Sequence, residues 1–442
     1  MNPGRLCGSP RSPTSIACHA GFGASLALAL ALFPRDLSVA LAVLAALALP
    51  VAFWLGVRGS DPESRALMWI FLAAVGVRAG ISILVEYGAS FGFFALDDQR
   101  YAKLGFQLAA FWAGEVPYPE DLHGPIGYYV WNALIYTVVG YVPLAPMFAN
   151  AVIGGLGVLL AHSLARDLAG PRAARYAALL AAFCPSLVLW SSLNLKDAMA
   201  ILAILLLLRG AQRMQQGPSL LAIAQGVAGF LILSQLRGYL VLTAACAVGF
   251  AWLLPRLRAA PLTVGALLLA GALLLPSLGP VQELVETSSL ETLDQARRQL
   301  AIGDSTYHGN ADVSSPGGAL RFLPTGLVYF LLAPAPWQLL NVRQLFTLPE
   351  MLIWYALLPQ VVIGLVIAMR RRFSAALPIA SFALFATFSY ALVEGNLGTA
   401  YRHRAQVLVL FLIFAGVGLA RRREARRVGG AADPSVVAGA PA

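Results

Sequence analysis

The chain reads as an all-α polytopic membrane protein of about 12 transmembrane helices, each an apolar run of about 17 to 25 residues able to cross a hydrocarbon core of roughly 30 Å. Two further observations carry that reading. Of 442 residues, 59% are hydrophobic and only 12% charged, whereas soluble domains are about half apolar and a quarter charged. Arginines also gather at every second junction between apolar runs, where topology signals belong.

Taken in order, the runs and their breakers place spans at 15–33, 37–56, 66–86, 145–165, 175–193, 197–212, 218–235, 238–254, 261–279, 348–368, 374–393 and 405–420. The first follows Arg5 and Arg11 and has the outline of a signal peptide, but a second span follows almost at once. An uncleaved first helix is therefore expected. Residues 1–427 are expected to form a single multi-helix transmembrane domain, with the Ala/Gly/Pro/Val-rich tail 428–442 disordered and cytoplasmic.

The basic junctions are Arg58 and Arg65; Arg166, Arg172 and Arg175; Arg209 and Arg213; Arg256 and Arg258; Arg370 to Arg372; and Arg421 to Arg427. The positive-inside rule puts them, and both termini, in the cytoplasm. Segments 87–144, 194–196, the turn near 236, 280–347 and 394–404 then face outward. The stretch 126–142 is short and rich in Tyr and Trp; it is expected as an interfacial helix within the first large outward loop. In the second, 280–347, a helix is expected near Glu283 to Leu300, mobile chain after it, and an interfacial or re-entrant segment at 323–341, where Pro324, Pro334 and Pro336 fall.

A net charge of +10 is accounted for by these junctions. No basic patch interleaves with exposed aromatics, so nucleic acid is not expected as a partner. Cys184 and Cys246 fall inside spans, Cys7 and Cys18 before or at the edge of the first, and no disulfide or metal spacing emerges.

Chemistry-bearing residues outside the arginine clusters fall on the outward segments. Adjacent carboxylates at Asp97 and Asp98, with Arg100, Tyr101 and Lys103 after them, either cap the following helix or accept a proton from an attacking hydroxyl or amine. Asn194, Lys196 and Asp197 sit at an outward turn, where Lys196 either snorkels to the interface or meets an anion. Gln235, Arg237 and Tyr239 mark the next. In the run Glu394 to Arg404, Asn396 and two glycines precede Arg402, His403 and Arg404. Arginines on an outward segment call for a compensating anion, either Glu394 or a phosphate gripped by the two-pronged guanidinium. Arg78, near the middle of its span, needs a buried partner. The histidines are scattered, and a divalent cation is compatible with the carboxylate pair without being indicated by spacing.

These features resemble the GT-C glycosyltransferase superfamily. The residues that carry the likeness are the aspartates after an early span, Gly-Pro-Ile-Gly-Tyr-Tyr at 124–129, Arg-Asp-Leu-Ala-Gly-Pro-Arg-Ala-Ala-Arg at 166–175, and Lys196-Asp197. More narrowly, the chain is similar to bacterial lipid A aminoarabinose transferases and protein O-mannosyltransferases. The resemblance implies a bacterial cytoplasmic-membrane enzyme with an outward-facing site, a polyprenyl-phosphate-linked sugar as donor, and a glycan, lipid or protein as acceptor. It implies a catalytic role for Asp97 or Asp98 and for Asp197, and a donor-phosphate clamp of Lys196, Arg237, Arg402 and Arg404. Arg100, Tyr101, Tyr128, Asn396 and His403 would line the site. Other classes with outward charges are a transporter or flippase of lipid-linked saccharide and a glycan polymerase or ligase. A transporter would place its charges at the midplane on broken helices in matched halves.

Overall fold

The computed structural model describes residues 35–58, 61–88, 97–259, 289–301, 305–338, 345 and 347–431. Fourteen α-helices form among them: α1 (Arg35–Arg58), α2 (Pro62–Gly88), α3 (Asp97–Trp112), α4 (Ile126–Val139), α5 (Leu144–Phe183), α6 (Pro185–Ser192), α7 (Asp197–Gln216), α8 (Leu220–Leu236), α9 (Tyr239–Ala259), α10 (Leu290–Leu300), α11 (Pro316–Leu332), α12 (Leu348–Arg371), α13 (Phe373–Val393) and α14 (Leu397–Ala431). No strand forms among the described residues beyond an isolated bridge between Thr306 and Asn396. Seven of these helices are long and apolar enough to cross a membrane, or eight if the bent pair α6 and α7 counts as one. The expected spans 15–33 and 261–279 lie outside the described residues, as do Cys7, Cys18 and residues 432–442 of the tail.

At about 1.5 Å per residue, a straight helix of 40 residues would be twice as long as the hydrocarbon core is thick. α5 has that length and does not run straight. Ala169 and Gly170 leave helical geometry, Gly170 at φ 77, and Pro171 starts the second leg. Asn150 donates to the carbonyls of Leu193 (2.8 Å) and Leu195 (3.0 Å), and a Cβ on Gly154 would meet Ser191. The two legs therefore run antiparallel, and the arginine-rich motif 166–175 is the bend between them.

A second break, at Cys184–Pro185, explains Arg78. Pro185 has no N–H to give the Ala181 carbonyl, and the Ser186 N–H turns away to the Glu350 carboxylate (2.5 Å). Two carbonyls are left open inside the bundle. Arg78 fills both, donating to Ala182 (2.8 Å) and Ala181 (3.3 Å), with its Nε on Ser191 Oγ (2.7 Å). A buried cation and a buried carboxylate thus splice the two sides of one broken helix.

Small residues set the closest helix approach. A Cβ on Gly364 of α12 would lie 1.8 Å from the Phe414 carbonyl of α14, and one on Gly418 2.2 Å from that of Gln360. Backbones in contact at this range need glycine.

Several expectations are corrected. The run 394–404 is not a loop: only Glu394 to Asn396 turn, and α14 begins at Leu397. Residues 323–332 belong to the 17-residue α11, followed by a single 3-10 turn at Pro336–Gln338, with the chain described only to 338; this arrangement is compatible with the interfacial or re-entrant segment expected there. Within 280–322, the part from 305 onward is held in place: Tyr307 donates its N–H to Gly395, and Arg297 donates to the carbonyls of Tyr307 (3.3 Å) and His308 (2.9 Å). Residues 428–431, expected as tail, continue α14. The 14-residue α4 is, as expected, too short to span.

Candidate active site

At the ends of α3, α7, α9 and α14, side chains up to 305 positions apart in sequence form one charged cluster. Asp197, the first residue of α7, is its centre and is fully buried. One carboxylate oxygen receives Arg237 Nη2 (2.6 Å); the other receives Arg402 Nε (2.8 Å) and Nη2 (2.7 Å). Arg402 reaches on with Nη1 to Asp97 Oδ2 (2.7 Å), whose side chain is 52% exposed. The chain of charge thus runs from the interior to the surface. Asp197 makes no side-chain cap, and its two oxygens are fully engaged by guanidinium donors. In this geometry the carboxylate that the resemblance marks as a second site acid holds the two arginines in place.

Arg237 is buried and saturated. It donates to Tyr239, to Asp197 and to His403 Nε2 (2.8 Å), and the Gln406 amide turned toward it accepts from Nε (3.1 Å). A guanidinium only donates, so His403 Nε2 must carry a lone pair. The proton then sits on Nδ1, which donates to Glu394; Thr399 also donates to Glu394 (2.7 Å). His403 is a neutral link between a cation and an anion.

Lys196 lies beside these groups, and no hydrogen bond or ion pair holds its amine among the described residues. Burial and then the charge of Arg237 lower its ammonium to about 8. Asp98, half-buried, accepts the Gln99 N–H (2.7 Å) and no other donor among the described residues. Burial, reinforced by Asp97, raises its carboxyl above the usual range. Tyr101 packs edge-on to Tyr128 at 4.9 Å between ring centres, and burial raises its phenol. Tyr128 donates to Asn194 (2.8 Å) and accepts from Asn150 (2.7 Å), one layer behind the ions.

Of the residues expected at the site, Asp97, Asp197, Arg237, Arg402 and His403 come together in one bonded network, with Lys196, Asp98, Tyr101 and Tyr128 around it. Three do not join. Arg404 is buried on the opposite side of α14, donating to the Ala333 carbonyl (2.7 Å) and to Met351 Sδ (3.0 Å). It cannot reach a phosphate held by Arg402. Arg100 reaches the Asp121 carbonyl at 3.4 Å and lies against Tyr129, away from the ions. Asn396 turns to its own chain, accepting from the Gly398 N–H (2.7 Å). Gln406 was not anticipated, although an amide inside an apolar run is itself a signal. No three His, Cys, Asp or Glu side chains converge as metal ligands among the described residues.

Compared with models of known protein families and with curated proteins, the chain matches none.

Proposed function

We propose that the chain is a membrane glycosyltransferase of GT-C type, with about 12 spans in all. It moves a sugar from a polyprenyl-phosphate donor to a lipid, glycan or protein acceptor on the outer face of the cytoplasmic membrane. The single observation that carries this reading is the ladder Asp197–Arg402–Asp97 with the unpartnered Lys196 beside it. It is a preorganised cation pair whose surface end is occupied by an exchangeable carboxylate.

A donor phosphate takes the place of Asp97 on Arg402 Nη1 while Asp197 keeps the other face of the guanidinium. Lys196 adds a second positive charge. The acceptor heteroatom bonds the anomeric carbon as the carbon–oxygen bond to phosphate breaks, with inversion. The bonding pair stays on the phosphate, where Arg402 and Lys196 meet the charge. The acceptor proton passes to an aspartate. Asp98 suits that step because no cation hydrogen-bonds it among the described residues and burial favours its protonated form. Arg237, His403 and Glu394 position the clamp and do not touch substrate.

The test has two stages. Mass spectrometry of envelope lipids, glycans and glycoproteins with and without the chain identifies the missing product. The purified chain is then given the matching labelled donor. Asp98→Asn is expected to lose transfer and Asp97→Asn to lose part of it. Full transfer by an Asp97→Asn/Asp98→Asn double variant would overturn the reading. Movement of the lipid-linked sugar across vesicles without a new glycosidic bond would replace it with transport.

A further inference from the structure

A second basic site lies at the other end of the bundle. The 20 residues of α7 separate Asp197 from Gln216 by about 30 Å. At the Gln216 end, the bend of α5 and the junction of α12 with α13 enclose a cleft of about 590 Å³ lined by Arg166, Asp167, Gly170, Gln216, Arg371 and Arg372. That volume is in the range of small-ligand sites.

The charge of this cleft is unbalanced. Asp167 is the acidic group in its wall, and Arg209 pairs with it while Gln216 donates to it at 3.3 Å. Arg166 lies 3.6 Å from Glu63. Arg371 and Arg372 are exposed and make no ion pair or side-chain hydrogen bond among the described residues. Two full positive charges therefore face a concave space without an ion-pair partner among the described residues. The backbone adds to this: α13 starts directly after Arg372 with no side-chain cap, so its positive end, at Ser374 and Ala375, forms part of the same wall. Gly170, at φ 77, closes the bend without a side chain to fill the space.

We infer that this cleft binds the phosphate group of an anionic phospholipid headgroup, bridging the α5 bend to the α12–α13 junction. The chemistry recognised is a phosphate monoester or diester. A lipid is its source because the cleft opens at the membrane end of three apolar helices, where headgroups lie. The inference is independent of the proposed glycosyl transfer and uses none of its residues.

The experiment follows thermal unfolding of the full chain in neutral detergent with added phosphatidylglycerol, phosphatidylcholine or inorganic phosphate. Phosphatidylglycerol is expected to raise the melting temperature and phosphatidylcholine to leave it unchanged. Arg371→Gln and Arg372→Gln are each expected to weaken binding about fivefold. Both side chains are exposed, so the lipid-free melting temperature serves as the folding control and should not move. An equal shift from inorganic phosphate would keep the phosphate site and overturn the lipid as its source. An undiminished phosphatidylglycerol shift in the Arg371→Gln/Arg372→Gln double variant, or none in the unmodified chain, would overturn the site itself.

Discussion

Asp197 and Glu350 are both carboxylates buried in the bundle, each beside an arginine of α14, yet they do different work. Asp197 is gripped on both oxygens by Arg237 and Arg402. Glu350 takes uncharged donors instead: the Ser186 N–H, the Tyr401 hydroxyl at 3.1 Å and the Cys184 thiol at 3.7 Å. Its nearby arginine, Arg404, donates to backbone carbonyls. The first arrangement ends in a half-exposed carboxylate, Asp97, and so can exchange a partner with solvent or ligand. The second closes on itself around a helix break. A buried acid near an arginine marks a candidate site only where the network has an open end.

The comparison can be broken in order of expected size. Asp197→Ala leaves the buried Arg237 guanidinium without its counter-ion and Arg402 with Asp97 alone, and should cost about 3–5 kcal/mol of stability, read as lost folded yield and a lowered melting temperature. Arg402→Gln should reduce labelled-sugar transfer by about 10²–10³, whereas Arg404→Gln should lower the melting temperature and leave the rate per folded molecule unchanged. An equal loss of rate in both would erase the distinction. Glu350→Gln keeps an acceptor for Ser186 and should cost only about 1–3 kcal/mol by thermal melt. A loss larger than that of Asp197→Ala would reverse the ranking.

The smallest effect is on pH. The Lys196 ammonium is lowered from 10.5 to about 8 in the folded chain, so the unfolded chain binds its proton more tightly. Its penalty on folding is complete below about 8 and fades as pH climbs toward 10.5. Donor binding should run the other way, weakening above about 8 as the cation is lost. A donor titration from pH 7 to pH 9.5 that shows no such decline, or the same decline in Lys196→Gln, would remove Lys196 from the clamp.

Much of the fold was legible because apolar runs report helices directly: α1, α2, α9, α12 and α13 fall where composition places them. Three of the arginine junctions fall at one end of the bundle. Arg166, Arg371 and Arg372 share one cleft, and Arg423 donates to Tyr176 at 2.9 Å near it. The site was half legible. Asp97, Asp197, Arg237 and Arg402 were found as isolated polar groups at the same ends of spans, and the structure joins them. Arg404 departs from the clamp because α14 starts at Leu397 and residues two apart turn about 200° from one another on a helix. Arg402 then faces Asp197 and Arg404 faces α11 and α12. Glu350 was overlooked because it opens an apolar run, where an acid reads as a helix start. Its partner, an N–H freed by a proline 165 positions away, leaves no local trace.

Arg78 imposes a schedule on biogenesis. Its span is made before most of its partners: one carbonyl, Ala74, lies on its own helix, and the other carbonyls and the hydroxyl belong to residues 181, 182 and 191. More than 100 residues must be synthesised before those partners exist. Until then α2 carries an unpaired charge at about 2.5–3.5 kcal/mol against insertion. The helix therefore either waits beside the insertion machinery or enters on the strength of its apolar neighbours alone. The second leg of α5 and the following α6 bring the partners that end this exposure.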